Sequence, residues 1–235
     1  MDNTYRAQGL YGSAPCTIRT GMDTVNKEVL LTHEHTLTLS TETALLQRFT
    51  CSPAQLTELC IGWLCSQGCR FTGEMAENLH ISGDGHSAVI PQEVLQKQEI
   101  APFSAPAEVD AALCRQAAAL LNGDNNVHGK TRGTHGCVFA SADGAPIFCE
   151  DISRNSAMDK TMGSVLLQHR TPGEGLLFSS GRISADIVRK AVCAGFPVLV
   201  SKAAVTAEAL AEAQRYRLRL AFFADGTSCT MSAEL

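Results

Sequence analysis

The sequence predicts an α/β protein (α+β overall) in two parts: a small β-rich N-terminal subdomain with one helix over residues 1–106, and a three-layer α/β domain over residues 107–235. Three patterns lead there. Between residues 175 and 223, short continuous apolar runs alternate with amphipathic stretches, as they do where strands are covered on both faces. Residues 28–31 and 35–39 instead alternate side chain by side chain and are rich in β-branched residues. Over residues 70–106 periodicity fades into Pro- and Gln-containing chain, which marks a boundary.

Each element has a local reason. Strands cover the chain to about residue 49. Thr50-Cys51-Ser52-Pro53 then opens a helix, with Ser52 suited to the N-cap, Pro53 to the first helical position and Gln55 to the third, a capping-box arrangement. Leu56, Leu59, Cys60, Trp63 and Leu64 recur at helical spacing until Gly68 stops the helix. A short strand at 78–81 and a Gly83-Asp84-Gly85 turn follow. A helix over 107–121 ends at Asn122-Gly123. Residues 136–140 and 145–149, joined by Ala142-Asp143-Gly144, predict a β-hairpin, with a helix over 156–168 behind it. Strand 175–178, helix 184–194, strand 197–200, helix 206–216 and strand 218–223 complete the chain, a rhythm that implies parallel strands and right-handed crossovers.

Composition narrows the function classes. With 45% hydrophobic and 18% charged residues, 235 residues suffice for an ordinary folded core. A net charge of −5 argues against a nucleic-acid binder that works through a general basic surface. No apolar run approaches the roughly 18 residues of a membrane span. Met1-Asp2-Asn3-Thr4 lacks the start of a secretory signal, so a cytoplasmic protein with no membrane partner is expected. The ten cysteines contain no C-x-x-C pair and predict free thiols. Cys60, Cys65 and Cys69 fall in the apolar helical run and read as small buried hydrophobes. His33 and His35 share a strand face, but no third ligand accompanies them and no metal is expected.

Candidate chemistry concentrates at three turns beyond the carboxyl ends of the parallel strands, where ligands gather in open α/β sheets. Ser179-Ser180-Gly181-Arg182 offers hydroxyls and a guanidinium ahead of a helix, which suits a phosphate or equally a capped turn. Ser201 and Lys202 stand on the same edge, with Thr206 as an N-cap. Phe223-Ala224-Asp225-Gly226 is the third, readable also as a plain Asp-Gly turn. Upstream, residues 150–160 are dense in charge: Arg154 and Lys160 with their carboxylates either clamp an anion or form a solvated face. His135, at the start of the hairpin, belongs to the same edge or is a structural histidine.

These residues resemble one family. Glu150-Asp151-Ile152-Ser153-Arg154-Asn155-Ser156-Ala157-Met158-Asp159-Lys160 is similar to the E-D-V-G-R-H-N-A-L-D-K stretch of the FdhD family, the formate dehydrogenase accessory sulfurtransferases. Ser179-Ser180-Gly181-Arg182-Ile183-Ser184 resembles its S-S-G-R-[VA]-S, Ser201 to Thr206 its S-x-[AS]-A-[PA]-T, and Thr131 to His135 its T-G-x-x-H. Ser52-Pro53, Gly62-Trp63-Leu64 and Gln67-Gly68 resemble its first-half helix. The resemblance implies a cytidine-deaminase-like fold for the second part and a homodimer. It also implies a protein that takes sulfur from a cysteine desulfurase and sulfurates the molybdenum bis(guanine dinucleotide) cofactor for the formate dehydrogenase catalytic subunit. On that reading His135, Arg154, Asp159, Lys160, Ser180, Gly181, Arg182, Ser201 and residues 223–226 hold the cofactor, or a GDP-like ligand. Arg182 and a helix N-terminus would hold phosphate, and Lys160 with Asp159 would brace the loop.

Three departures matter. The family's C-G-x-C loop falls between residues 90 and 109, where this chain has no cysteine, so Cys137 and Cys149 stand as substitute thiols or as buried strand residues. Ser153 and Asn155 replace the family's glycine and histidine, and the last loop carries Asp225 where basic residues are usual. The alternative function is therefore a non-catalytic chaperone that binds the cofactor and has lost sulfur transfer.

Overall fold

The structure, a computed structural model, describes residues 9–105 and 107–232. Strands β1 (Tyr11–Thr20) and β2 (Asp23–Thr32) form an antiparallel two-stranded ribbon. Its two-residue turn relies on Gly21, whose φ of 63° costs glycine little. Strands β3 (His35–Ser40) and β4 (Leu45–Cys51) join a second sheet with β5 (His80–Ile81) and β6 (Ser87–Val89), in the order β4-β3-β6-β5. Helices α1 (Leu56–Ser66) and α2 (Gly73–Asn78) lie between β4 and β5 in the chain.

The remainder is a six-stranded mixed sheet. Helices α3 (Ala111–Leu121) and α4 (Val127–Thr131) precede strands β7 (His135–Ser141) and β8 (Ile147–Asp151), and helix α5 (Arg154–Leu167) follows. The expected rhythm then appears: β9 (Gly175–Ser179), α6 (Ala185–Cys193), β10 (Val198–Ser201), α7 (Ala207–Tyr216), β11 (Arg219–Phe222), with a short β12 (Thr230–Met231) at the edge. The order is β12-β11-β10-β9-β7-β8, with β9, β10 and β11 parallel and the outer strands antiparallel to their neighbours. Alternate strand residues divide between two cores. Val138, Phe178, Val200 and Ala221 pack against α3, whereas Cys137, Phe139, Leu177, Leu199 and Leu220 belong to the cluster that includes α5, α6 and α7. The result is the three-layer α/β arrangement that the continuous apolar runs predicted.

The second cluster also contains Leu37, Phe49, Leu59, Cys60 and Met75, so apolar packing is continuous from the first half of the chain into the second. Its tightest point is the crossing of α1 on α5. A Cβ on Gly62 would lie 1.8 Å from the Asp159 carbonyl oxygen, and one on Gly163 would lie 2.0 Å from that of Glu58. The two helices touch backbone to backbone, and only glycine permits it.

Helix α1 differs from its sequence signature. It begins at Leu56 with Gln55 at the N-cap in a left-handed conformation (φ 55°), and no side chain caps it. Ser52 is engaged elsewhere: its N–H donates to Asp151 Oδ2 (2.9 Å), its hydroxyl accepts from Ile152 N–H (3.2 Å) and its carbonyl accepts from Lys160 Nζ (3.0 Å). Helix α3 starts later than expected, at Ala111, because the Asp110 carboxylate accepts from the N–H groups of Ala112 and Leu113. The short helices α2 and α4 span under two turns, too little for periodicity to show.

Gly62→Ala is expected to lower stability by about 3 kcal/mol, the upper end of overpacking penalties, because the clash is with backbone rather than a movable side chain. Urea unfolding measures it, and an unchanged midpoint would show that the helices do not meet at this point.

Candidate functional site

The site grows from the turn between β8 and α5. Asp151, the last residue of β8, is fully buried and ion-paired to the equally buried Lys160 at 2.6 Å. Its Oδ2 also accepts from Ser52 N–H, and its Oδ1 from Ser153 N–H (2.8 Å). Ser153 caps α5 through Ser156 N–H. The preceding residue, Glu150, accepts from the N–H groups of Val127 and His128 (both 2.8 Å) and from the Thr134 hydroxyl (2.9 Å), which fixes α4 and the approach to His135. The charge in residues 150–160 is thus largely interior wiring that aims the first turn of α5.

That turn presents Arg154 to the edge of the sheet. Its side chain packs on Gly181, where a Cβ would stand 3.0 Å from both Arg154 Cβ and Cδ. Gly181 therefore admits the arginine, and Arg154 Nε is buried with no hydrogen-bond partner. Beside it, Ser180 exchanges hydrogen bonds with Gly136: Ser180 Oγ accepts from Gly136 N–H (3.0 Å), and Ser180 N–H donates to the Gly136 carbonyl (2.9 Å). Ser180 Oγ is also 3.5 Å from His135 Nδ1. Burial holds the His135 pKa below its usual value, helped by the neighbouring Arg154 and His128 charges, so the ring is neutral at pH 7. Ser201 Oγ donates to the Gly181 carbonyl (2.8 Å) and accepts from Ala203 N–H (2.9 Å), which buttresses the same loop. His135, Arg154, Ser180, Gly181 and Ser201 are therefore brought together. A guanidinium N–H without an acceptor beside a neutral imidazole and a hydroxyl suits an anionic oxygen.

Other expected site residues stand differently. Arg182 is exposed next to Gly181, but α6 starts only at Ala185, after Ile183 forms a bridge with Val205. The first turn of α6 carries Asp186, whose carboxylate takes the Ser184 hydroxyl, and no side chain caps the helix. Lys160 faces Asp151 and Ser52 in the interior rather than the loop. Asp159 points away from both, to Lys190 of α6 at 2.6 Å. The 223–226 turn abuts the edge through backbone bonds from Phe223 to Ala203 and from Ala224 to Ser201. Phe223 is exposed, with left-handed φ (52°). Asp225 spends its carboxylate on Thr227 and Ser228, which holds it well below the usual range, and Gly226 lies against Ala118 of α3.

Of the two readings for Cys137 and Cys149, substitute thiols or buried strand residues, the structure supports the second. They face each other across β7 and β8 with no exposed surface. Burial pushes the Cys137 pKa up to about 12 and raises that of Cys149, so neither supplies a thiolate near neutral pH. Of the ten free cysteines, Cys16 and Cys193 are half-buried and Cys229 is exposed. His35 is committed to the Gly85 carbonyl (2.7 Å) and stacks on His86, with ring centroids 4.4 Å apart.

Sequence reasoning missed a second feature of this region. Residues from β4, α1, α5 and α6, including Arg48, Trp63, Asn155, Asp159 and Lys190, line a cleft of about 450 Å³. Trp63 and Lys190 lie far apart in the chain and read there as helix-face residues, so only packing reveals the cleft. The Asp186 and Lys190 spacing on one helix face was its only local trace.

Architecture and edge together define a class: a layered α/β protein with a cluster of polar side chains, Arg154 and His135 among them, at the carboxyl ends of its parallel strands. Residues 82–233 match the FdhD/NarQ family, and the chain belongs to it. It is 34% identical over 122 residues to the "Sulfur carrier protein FdhD" of Thermoplasma volcanium, covering 52% of this chain and 44% of that protein. It is also 34% identical over 139 residues to that of Mycobacterium tuberculosis, covering 58% and 50%. The chain thus matches about half the length of these relatives. Its fold is shared with the crystal structure of a proposed formate dehydrogenase accessory protein from Desulfotalea psychrophila, at a TM-score of 0.80 over 96% of this chain and 97% of that one, with 19% identity.

Asp159 provides a pH test. Burial raises its pKa from 3.8 to about 6, only partly offset by Lys190. The folded state binds this proton more tightly than the unfolded chain, so the associated stability is present below about pH 4 and lost as pH rises through 6. Two pH units correspond to about 3 kcal/mol. Asp159→Asn is expected to remove that slope, measured as the difference in urea unfolding free energy between pH 4 and pH 7 in variant and parent.

Proposed function

We propose that this chain is an accessory protein in the maturation of a molybdenum formate dehydrogenase, and that it binds the guanine-dinucleotide form of the molybdenum cofactor. Family membership supports the general role. The observation that carries the binding reading is the buried, unpartnered Arg154 Nε beside Gly181, Ser180 and neutral His135, a fit for a phosphate oxygen of such a ligand. In this reading Arg154 donates to the phosphate, the Gly181 backbone allows its approach, and Ser201 keeps the loop in place. Arg182, exposed at the mouth, adds charge rather than a fixed contact. A cytoplasmic homodimer, a cysteine desulfurase as sulfur donor and the formate dehydrogenase catalytic subunit as recipient complete the proposal.

Sulfur carriage requires an accessible thiolate that attacks the sulfane sulfur of the desulfurase persulfide, with the desulfurase thiolate leaving. A second reading, a cofactor chaperone without sulfur transfer, is favoured by the burial of Cys137 and Cys149 and by the lack of any cysteine between Cys69 and Cys114.

Arg154→Ala is expected to weaken GDP binding by about 1.5–3 kcal/mol, the worth of a charge-assisted hydrogen bond, in isothermal calorimetry. An unchanged dissociation constant removes the phosphate assignment. Mass spectrometry after incubation with a cysteine desulfurase and cysteine separates the two readings. A persulfide on Cys16, Cys193 or Cys229 supports carriage, and GDP binding with no adduct supports the chaperone.

A further inference from the structure

The loop between β11 and β12 rests on α3, and each of the two brings a cysteine to the contact. Phe222 pairs with Thr230 and Ala221 with Met231, which fixes both ends of the loop. Within it, the Asp225 carboxylate accepts from the N–H groups of Thr227 (2.7 Å) and Ser228 (2.8 Å), and Asp225 N–H donates to the Ser228 carbonyl (3.2 Å). The turn is thus closed on itself immediately before Cys229. Its inner face meets the helix. Ala224 packs in one apolar cluster with Cys114, Ala117 and Ala118. A Cβ on Gly226 would lie 2.8 Å from Ala118 Cβ, 3.6 Å from Arg115 Cα and 4.0 Å from the Cys114 carbonyl oxygen.

The two thiols are unequal. Cys229 is the one exposed cysteine among the described residues, whereas Cys114 is 7% exposed. Burial pushes the Cys114 pKa up to about 11, and the nearby Cys229 adds to the rise, so the thiols are close enough to feel each other. Direct oxidation therefore falls on Cys229, with Cys114 held protonated behind it. We propose that Cys114 and Cys229 form a peroxide-sensitive pair that closes into a disulfide and fastens the β11–β12 loop to α3. The Cys229 thiolate attacks the O–O bond of the peroxide, giving a sulfenic acid and a hydroxide that takes up a proton. The Cys114 sulfur then attacks the sulfenic sulfur, the S–O bond breaks, and water leaves with the Cys114 proton. One peroxide is reduced and two thiols are oxidised, and low-molecular-weight thiols reverse the step by exchange. The consequence reaches the strand ends through Phe223 and Ala224, whose N–H groups donate to the Ala203 and Ser201 carbonyls. None of this depends on which ligand that edge binds.

The intact reduced protein is treated with hydrogen peroxide, its remaining thiols are alkylated, and it is digested with trypsin without reduction. Cleavage after Lys97, Arg115 and Arg219 leaves Cys114 in a peptide of residues 98–115 and Cys229 in one of residues 220–235, neither with a second cysteine. These two peptides are expected joined, short of two hydrogens, and separated again by dithiothreitol. A disulfide needs Cα atoms within about 7 Å, so linkage in the folded protein reads the contact directly. Amide hydrogen exchange over residues 223–228 should slow roughly tenfold on oxidation. Cys229→Ser, a surface change that keeps the fold, should abolish both the linked peptide and the slowing. Cys229 oxidised while Cys114 stays open to alkylation after unfolding overturns the inference. So does linkage of Cys229 to Cys16 or Cys193, or linkage to Cys114 that forms only in urea. Linkage with unchanged exchange overturns the fastening.

Discussion

The fold of this chain depends on one buried ion pair and the strand end that accompanies it. Lys160 and Asp151 have no exposed surface, and two charges in that position are tolerated only when each finds further polar partners. Ser52 provides them: its N–H serves the carboxylate and its carbonyl serves the ammonium, while its hydroxyl takes Ile152 N–H. Asp151 is thereby held at the end of β8 and Lys160 within the second turn of α5. The first turn of that helix, with Arg154, is left no freedom to choose its direction. Everything proposed about ligand binding follows from this aim.

The same aim requires α1 to lie close to α5, and the facing glycines make that possible. A crossing at backbone distance brings Trp63, one residue beyond Gly62, alongside the residues that follow Ser153. The glycine contact and the ion pair thus do complementary work. One sets how near the first half of the chain approaches, and the other sets its registration along the helix. The cleft and the sheet-edge cluster are two sides of the structure that results.

Much of this was legible in the sequence, and the failures have physical reasons. The β–α–β–α–β run from Gly175 to Phe222 showed itself because doubly covered strands leave continuous apolar stretches. The hairpin of β7 and β8 was marked by its Asp-Gly turn. Ser52 misled because its capping signature is local, whereas its partners are about a hundred residues away and win on burial. Arg154, Ser180 and His135 were recognisable as polar residues at strand ends. Asp159 and Lys160 join them through the family resemblance of residues 150–160, yet successive residues on a helix point about 100° apart, and these two serve different partners. Trp63 carries no local sign of the cleft and Lys190 only its spacing from Asp186, since a cleft made by four elements exists only once they pack.

The ribbon of β1 and β2 has a consequence of its own. A lone hairpin is barely stable in water, and this one exposes Ile18, Val25 and Leu31. Its footing is at its base, where the Lys130 ammonium of α4 reaches the Tyr11 hydroxyl (3.3 Å) and Gly133 leaves room for Thr32. Helix α4 hangs in turn from Glu150, the neighbour of Asp151. The arm is therefore hinged to the same strand end that orients Arg154, and a load placed on its tip has a short mechanical path, through one carboxylate, to the heart of the molecule.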